Sequence, residues 1–244
     1  MANDIHTTMT LGEIAAAFPG VIPALEQLGL DYCCRGGRTL AGAVEAAGLD
    51  LAAVLTTLRT TVDGETREQA EERDWRAATM TELADHIEAT HHAFVRDAME
   101  QLSALLPKVI EAHGSEHGEL RSLAPVVDAL ADDLRDHMVR EERVLFPWLR
   151  RLERKSEIQG GPPWSVRRPI DCMVHDHDEV AIALGKIREL TAGYQPPPGA
   201  CPTYTRLYGL LGELERDTHV HIHKENNILF PAGVRAEAAL KQPG

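Results

Sequence analysis

Two segments of the chain follow one plan: HMVREERVLFP from His137 and HIHKENNILFP from His221 each place a histidine, a glutamate four residues later, and then Leu-Phe-Pro. A repeated spacing of this kind signals a repeated structural unit. His92 precedes His137 by 45 residues and His177 precedes His221 by 44, so the last two-thirds of the chain read as two helical hairpins of the same design. Helix-period apolar patterns run over Thr81 to Ala112, Glu119 to Glu153, Pro169 to Ala192 and Pro202 to Ala239. The breaks between them are HGSEHG, SEIQGGPPW and GYQPPPGACP, rich in residues that stop helices. β-branched alternation is scarce, and the expected fold is all-α, a four-helix bundle.

Before the bundle, short apolar stretches such as LGEIAAAF, VIPALEQLGL and LAAVLTTLR are separated by Pro and Gly. They predict a small domain of short helices over residues 1–61, a linker over 62–78 whose polar centre is Val62 to Asp74, and the bundle over 79–244. The formal net charge of −13 and the lack of any basic run argue against nucleic acid and against an anionic membrane surface. MANDIHTTMT has no basic start followed by an apolar run, and no apolar stretch is long enough to cross a bilayer, so a cytoplasmic protein is expected. Four cysteines in that compartment point to catalytic, metal-linked or buried thiols before disulfides.

The apolar stripe of the second long helix runs through Leu130, Leu134, Met138, Leu145 and Trp148, and the 3.6-residue period carries His137 and Glu141 along it. The fourth does the same with Leu207, Leu211, Leu214, Ile222 and Leu229 around His221 and Glu225. Burying an isolated carboxylate costs several kcal/mol unless an opposite charge compensates it. A cation settles both sites, because His and Glu at i and i+4 aim from one face toward one point. His177 adds an imidazole on the third helix; on the first, His86, His91 and His92 compete. Four histidines and two glutamates without thiolate suit two iron or manganese ions better than structural zinc, and they leave coordination positions open. A single inward histidine is more often a hydrogen-bonded core residue; two copies at like spacing reverse that weighting. His113 and His117 fall in a turn and read as solvated, and the Leu-Phe-Pro units read as core packing followed by a helix break.

The stretch DYCCRGGRTL sets Cys33 beside Cys34. A disulfide between neighbours strains the intervening peptide, so both read as free thiols. Gly36 and Gly37 allow a sharp turn or a close approach, and Arg35 and Arg38 are placed to lower a thiol pKa and favour the thiolate. A movable small domain then brings Cys33 and Cys34 to the mouth of the metal site; the alternative is a buried pair closing a turn.

The paired His-x-x-x-Glu helices resemble the hemerythrin-like domain, and LGLDYCCRGGRTL together with PPPGAC resembles the Repair of Iron Centers family. The resemblance covers nearly the whole chain. It implies metal ligands at His92, His137, Glu141, His177, His221 and Glu225, with Glu141 and Glu225 bridging two non-haem irons that also share an oxo or hydroxo bridge when oxidised. It implies recovery of iron–sulfur clusters after nitrosative or oxidative stress, by release of iron or handling of NO. Damaged iron–sulfur proteins are then the partners, NO or O2 the small ligand, and a homodimer is left open. Asp133 and Asp176 stand where that family usually has glutamates, which makes them candidates for support of the ligands or for a channel. Two other readings compete: reduction of NO or a peroxide at the di-iron centre with Cys33 and Cys34 as electron source, and a carrier or sensor of O2 or NO.

Overall fold

The computed structural model describes residues 4–64, 74–154 and 165–240. The centre of the expected linker and the SEIQGGPPW break lie outside these residues. Among the described residues the fold is all-α, with one isolated antiparallel bridge between Thr10 and Thr39. The chain divides into two compact units, residues 84–221 and residues 1–83 together with 222–244.

In residues 84–221 the long helices of a hemerythrin-like bundle are α6 (Ala93–His113), α7 (Glu119–Arg140), α8 (Phe146–Glu153), α9 (Arg167–Leu190) and α10 (Pro202–Lys224). Leu102, Leu130, Leu134, Leu184, Leu211 and Leu214 are buried along the stripes their spacing predicts. Burying each such side chain contributes about 1.5–3 kcal/mol, and this term, more than helix propensity, holds the bundle.

Three π-helical turns interrupt the regular helices: Ile87–His92 between α5 (Met80–His86) and α6, Glu141–Leu145 between α7 and α8, and Glu225–Leu229 between α10 and α11 (Phe230–Leu240). Each begins or ends on a candidate metal ligand. The expected helix breaks at Leu-Phe-Pro do not occur, because helix resumes at once at Phe146 and at Phe230. Proline lacks the N–H that would bond four residues back and crowds that carbonyl; a widened turn immediately before Pro147 and Pro231 accommodates both effects.

The other unit opens with α1 (Leu11–Ala17), α2 (Ile22–Gln27), α3 (Leu40–Ala46) and α4 (Leu51–Asp63). Thr10 starts α1 with a capping box: its hydroxyl accepts from Glu13 N–H and Glu13 returns the bond to Thr10 N–H. Thr39 and Asp50 cap α3 and α4 in the same sense. α4 continues through Asp63, so it extends past the point where the sequence predicts the linker to begin. This unit also contains the residues just after Glu225. Asn227 Nδ2 donates to the carbonyls of Tyr32 (3.1 Å) and Cys33 (3.2 Å), and Asn226 Nδ2 donates to the Cys33 carbonyl at 3.3 Å. A Cβ on Gly12 or on Gly36 would come within 2.3 Å of Asn227 Oδ1, so both glycines serve close approach. Gly37 meets nothing within 4 Å.

Candidate metal centre

His92, His137, Glu141, His177, His221 and Glu225 are each no more than 1 % exposed. All but Glu225 lie in residues 84–221, and Glu225 follows His221 by one turn of the same continuous helix. His92 Nε2 is 3.3 Å from His221 Nε2, and His137 Nε2 is 3.2 Å from His177 Nε2. Glu141 Oε2 stands between these imidazole pairs, 3.3 Å from His92 Nε2 and 3.2 Å from His137 Nε2. Two groups result, His92–Glu141–His221–Glu225 and His137–Glu141–His177–Glu225, with one donor atom of each residue within 4.8 Å of the others.

This donor set fits a pair of cations. Nε2 atoms 3.2–3.3 Å apart are spaced as neighbouring ligands of one ion at metal–nitrogen distances of about 2.0–2.1 Å. Imidazole and carboxylate without thiolate match iron chemistry, and cationic charge offsets the several kcal/mol that each buried carboxylate costs.

In two of the rings, those of His92 and His137, the other nitrogen faces a carboxylate. His92 Nδ1 is 2.7 Å from Glu142 Oε1, which accepts from Arg96 as well. Burial pushes the Glu142 carboxyl up, but hydrogen bonds from Arg96 and His92 outweigh it and hold it below the usual carboxylate range. Asp176 Oδ2 lies 3.4 Å from His137 Nδ1 and 3.0 Å from Arg140 Nη1. Such carboxylates fix the tautomer that turns a bare Nε2 toward a metal. The ring of Phe146 stacks on His92 at 5.8 Å, giving the Leu-Phe-Pro phenylalanine a positioning contact. His91 is buried, but its Nδ1 faces Asp217 Oδ1 at 2.9 Å and its ring stacks on His221 at 5.5 Å. His86 meets Thr90 instead, at 3.2 Å.

Asp133 does not share the position of Asp176. It stands on the exposed shoulder of α7, four residues before His137, and its short side chain ends in solvent. Glu142 and the His91–Asp217 pair escaped the sequence reading, since a second glutamate beside Glu141 looks like an ordinary surface residue. A cavity of about 460 Å³ is lined by Val95, Arg96, Met99 and Met138, neighbours in sequence of His92 and His137.

Residues 89–233 match the family model described as the hemerythrin HHE cation binding domain, and residues 7–61 match one described as a domain of unknown function. An iron-sulfur cluster repair protein YtfE from Musicola paradisiaca is 34% identical over 229 residues, covering 94% of this chain and 97% of that protein. Proteins of the same name from Edwardsiella ictaluri and Pectobacterium carotovorum subsp. carotovorum are 36% and 32% identical, over 91% and 95% of this chain and 94% and 99% of their own lengths. The chain belongs to the YtfE family.

The second feature of this YtfE-family chain is its cysteine pair. Cys33 and Cys34 are free thiols with sulfurs 3.8 Å apart. Arg35 and Arg38 are not among the groups that set the Cys33 thiol. Hydrogen bonding to Cys34, then burial and the nearby Asp31 carboxylate, push the Cys33 thiol well above its ordinary value. Asp31 Oδ1 accepts from Cys33 Sγ and from the N–H groups of Cys34 and Arg35, so an acceptor, not a guanidinium, faces the sulfur. Tyr32 sets its ring edge-on to His223 at 5.5 Å. Among the described residues no helix is long and apolar enough to cross a membrane.

Proposed function

We propose that the chain is a cytoplasmic non-haem di-iron protein that restores iron–sulfur clusters damaged by nitrosative or oxidative stress. The observation that carries this reading is the sharing of Glu141 and Glu225 between two buried imidazole pairs. His92 and His221 are assigned to one iron, His137 and His177 to the other, and Glu141 and Glu225 to both as bridges. Two irons in such a site supply open coordination positions for a small molecule such as NO or O2 and a reservoir of ferrous iron.

The protein's own groups set the terms of that chemistry. Glu142 and Asp176 keep protons on the outer nitrogens of His92 and His137, so the inner nitrogens remain available as ligands. Apolar packing around the cluster excludes bulk water and strengthens every charge interaction inside it. Cys33 and Cys34 take part beside the carbonyl that Asn226 and Asn227 hold. A protonated Cys33 is a weak nucleophile, which favours repair over the reading in which the thiols drive reduction of NO or a peroxide. The relatives named for iron–sulfur cluster repair support the same choice.

The test supplies the iron-loaded protein to an iron–sulfur enzyme inactivated by NO, against an equal amount of free ferrous iron. Faster recovery with the protein supports repair. Equal recovery, together with reversible O2 binding, overturns it in favour of a carrier.

A further inference from the structure

Cys201 and His113 meet at the end of the bundle remote from the metal centre. α6 is 21 residues long, which at 1.5 Å per residue sets His113 about 30 Å along the helix from His92. Cys201 Sγ lies 3.2 Å from His113 Nε2. The sulfur stands at the start of α10, and the Cys201 carbonyl accepts from Thr205 N–H at 3.0 Å. His113 is the last residue of α6.

These positions are electrically complementary. A helix N-terminus favours an anion, so the start of α10 favours Cys201 as thiolate, with the His113 ring in hydrogen-bond reach of the sulfur. The aromatic ring of Tyr204 lies 5.3 Å from that of His113 and 5.6 Å from that of His117, walling the pair on one side. Tyr204 is itself fixed through its hydroxyl to Glu119 (3.3 Å) and Tyr208 (3.2 Å). His113 and His117 are therefore half-buried and bonded, not the solvated turn residues their sequence context predicts. The N–H groups of Tyr204 and Thr203, with His113, pull the Cys201 thiol down to about 7. Cys201 is partly exposed, so small molecules reach it.

We propose that the contact between Cys201 and His113 makes Cys201 the chain's site of mixed-disulfide formation with low-molecular-weight disulfides of the glutathione class. The Cys201 thiolate attacks one sulfur of the disulfide, and the new S–S bond forms as the old one breaks. The departing thiolate leaves with the electron pair of the broken bond and takes its proton from His113. Cys201 is oxidised, the departing sulfur is reduced, and no further oxidant is needed.

The iron-loaded full-length protein is treated with glutathione disulfide near pH 7 and its four cysteines are followed by peptide mapping. Cys201 is expected to form the adduct first, ahead of the exposed Cys172. Iodoacetamide labelling of Cys201 against pH is expected to show a midpoint near 7. His113→Gln should move that midpoint toward the ordinary thiol value of about 8.5. Labelling at pH 7 should then slow about threefold, the larger loss of thiolate being partly offset by higher intrinsic nucleophilicity. Modification of Cys201 no faster than Cys172, or an unmoved midpoint in a folded His113→Gln variant, overturns the proposal. Should that variant fail to fold, the comparison of Cys201 with Cys172 in the unmodified chain decides alone.

Discussion

Glu142 Oε1 lies 2.7 Å from His92 Nδ1, so the residue after one candidate bridge orients the ring of a candidate ligand fifty positions earlier in the chain. Glu142→Ala removes the acceptor while leaving every donor atom in place. Iron affinity is expected to fall about 10–100-fold, read by competition with a chelator. An Ala variant that holds iron as tightly as the parent would remove Glu142 from the site.

Glu141→Ala with Glu225→Ala takes away both shared carboxylates. Bound iron and its bridged absorption are expected to disappear. Iron should raise the melting temperature of the parent and leave that of the double variant unmoved, because a ligand stabilises only the state that binds it. Full iron occupancy with an unchanged spectrum would refute the ligand assignment.

Gly12 and Gly36 make distinguishable demands on Asn227. The three atoms nearest a Cβ at Gly12 all belong to the Asn227 side chain, whereas one at Gly36 also comes within 2.5 Å of the Tyr32 carbonyl oxygen. Gly12→Ala and Gly36→Ala should each destabilise by about 1–3 kcal/mol in denaturant unfolding. Adding Asn227→Ala should recover more of the loss at Gly12 than at Gly36, where the Tyr32 carbonyl remains in the way, a coupling that a double-mutant cycle reads directly. Equal recovery at both positions would contradict the geometry.

Cys33→Ser with Cys34→Ser should leave iron content intact and slow recovery of a damaged iron–sulfur enzyme. Iron content is read by metal analysis on the purified variant, and recovery by the enzyme's own activity. Unimpaired recovery with fold and metal verified would reduce DYCC to architecture.

The long helices were legible because each buries a stripe whose period the sequence displays, as at Leu130, Leu134 and Met138. The inward histidines and glutamates were legible for the same reason, being polar residues in register with those stripes; only resemblance singled out His92 from His86 and His91. The π turns were not legible, since one extra residue per turn leaves local composition unchanged, and Pro147 and Pro231 suggested an end where the helix only widens. Glu142 and the Cys201–His113 pair depend on contacts between residues 50 and 88 positions apart, for which no local pattern exists. That Asp31 accepts from the Cys33 sulfur was not legible either, because the basic residues beside the cysteines are the more conspicuous charges in the sequence.

The bonds from Asn226 and Asn227 to Cys33 and Tyr32 span 193 to 195 residues. A ribosome adding 5–20 residues per second needs about 10–40 s to travel that distance. During this interval the first helices and their vicinal thiols wait for an anchor that is translated far behind them. Newborn chains are therefore open to oxidants and to chaperones at Cys33 and Cys34 for far longer than finished ones, and a stop codon shortly before Asn226 would leave them so permanently.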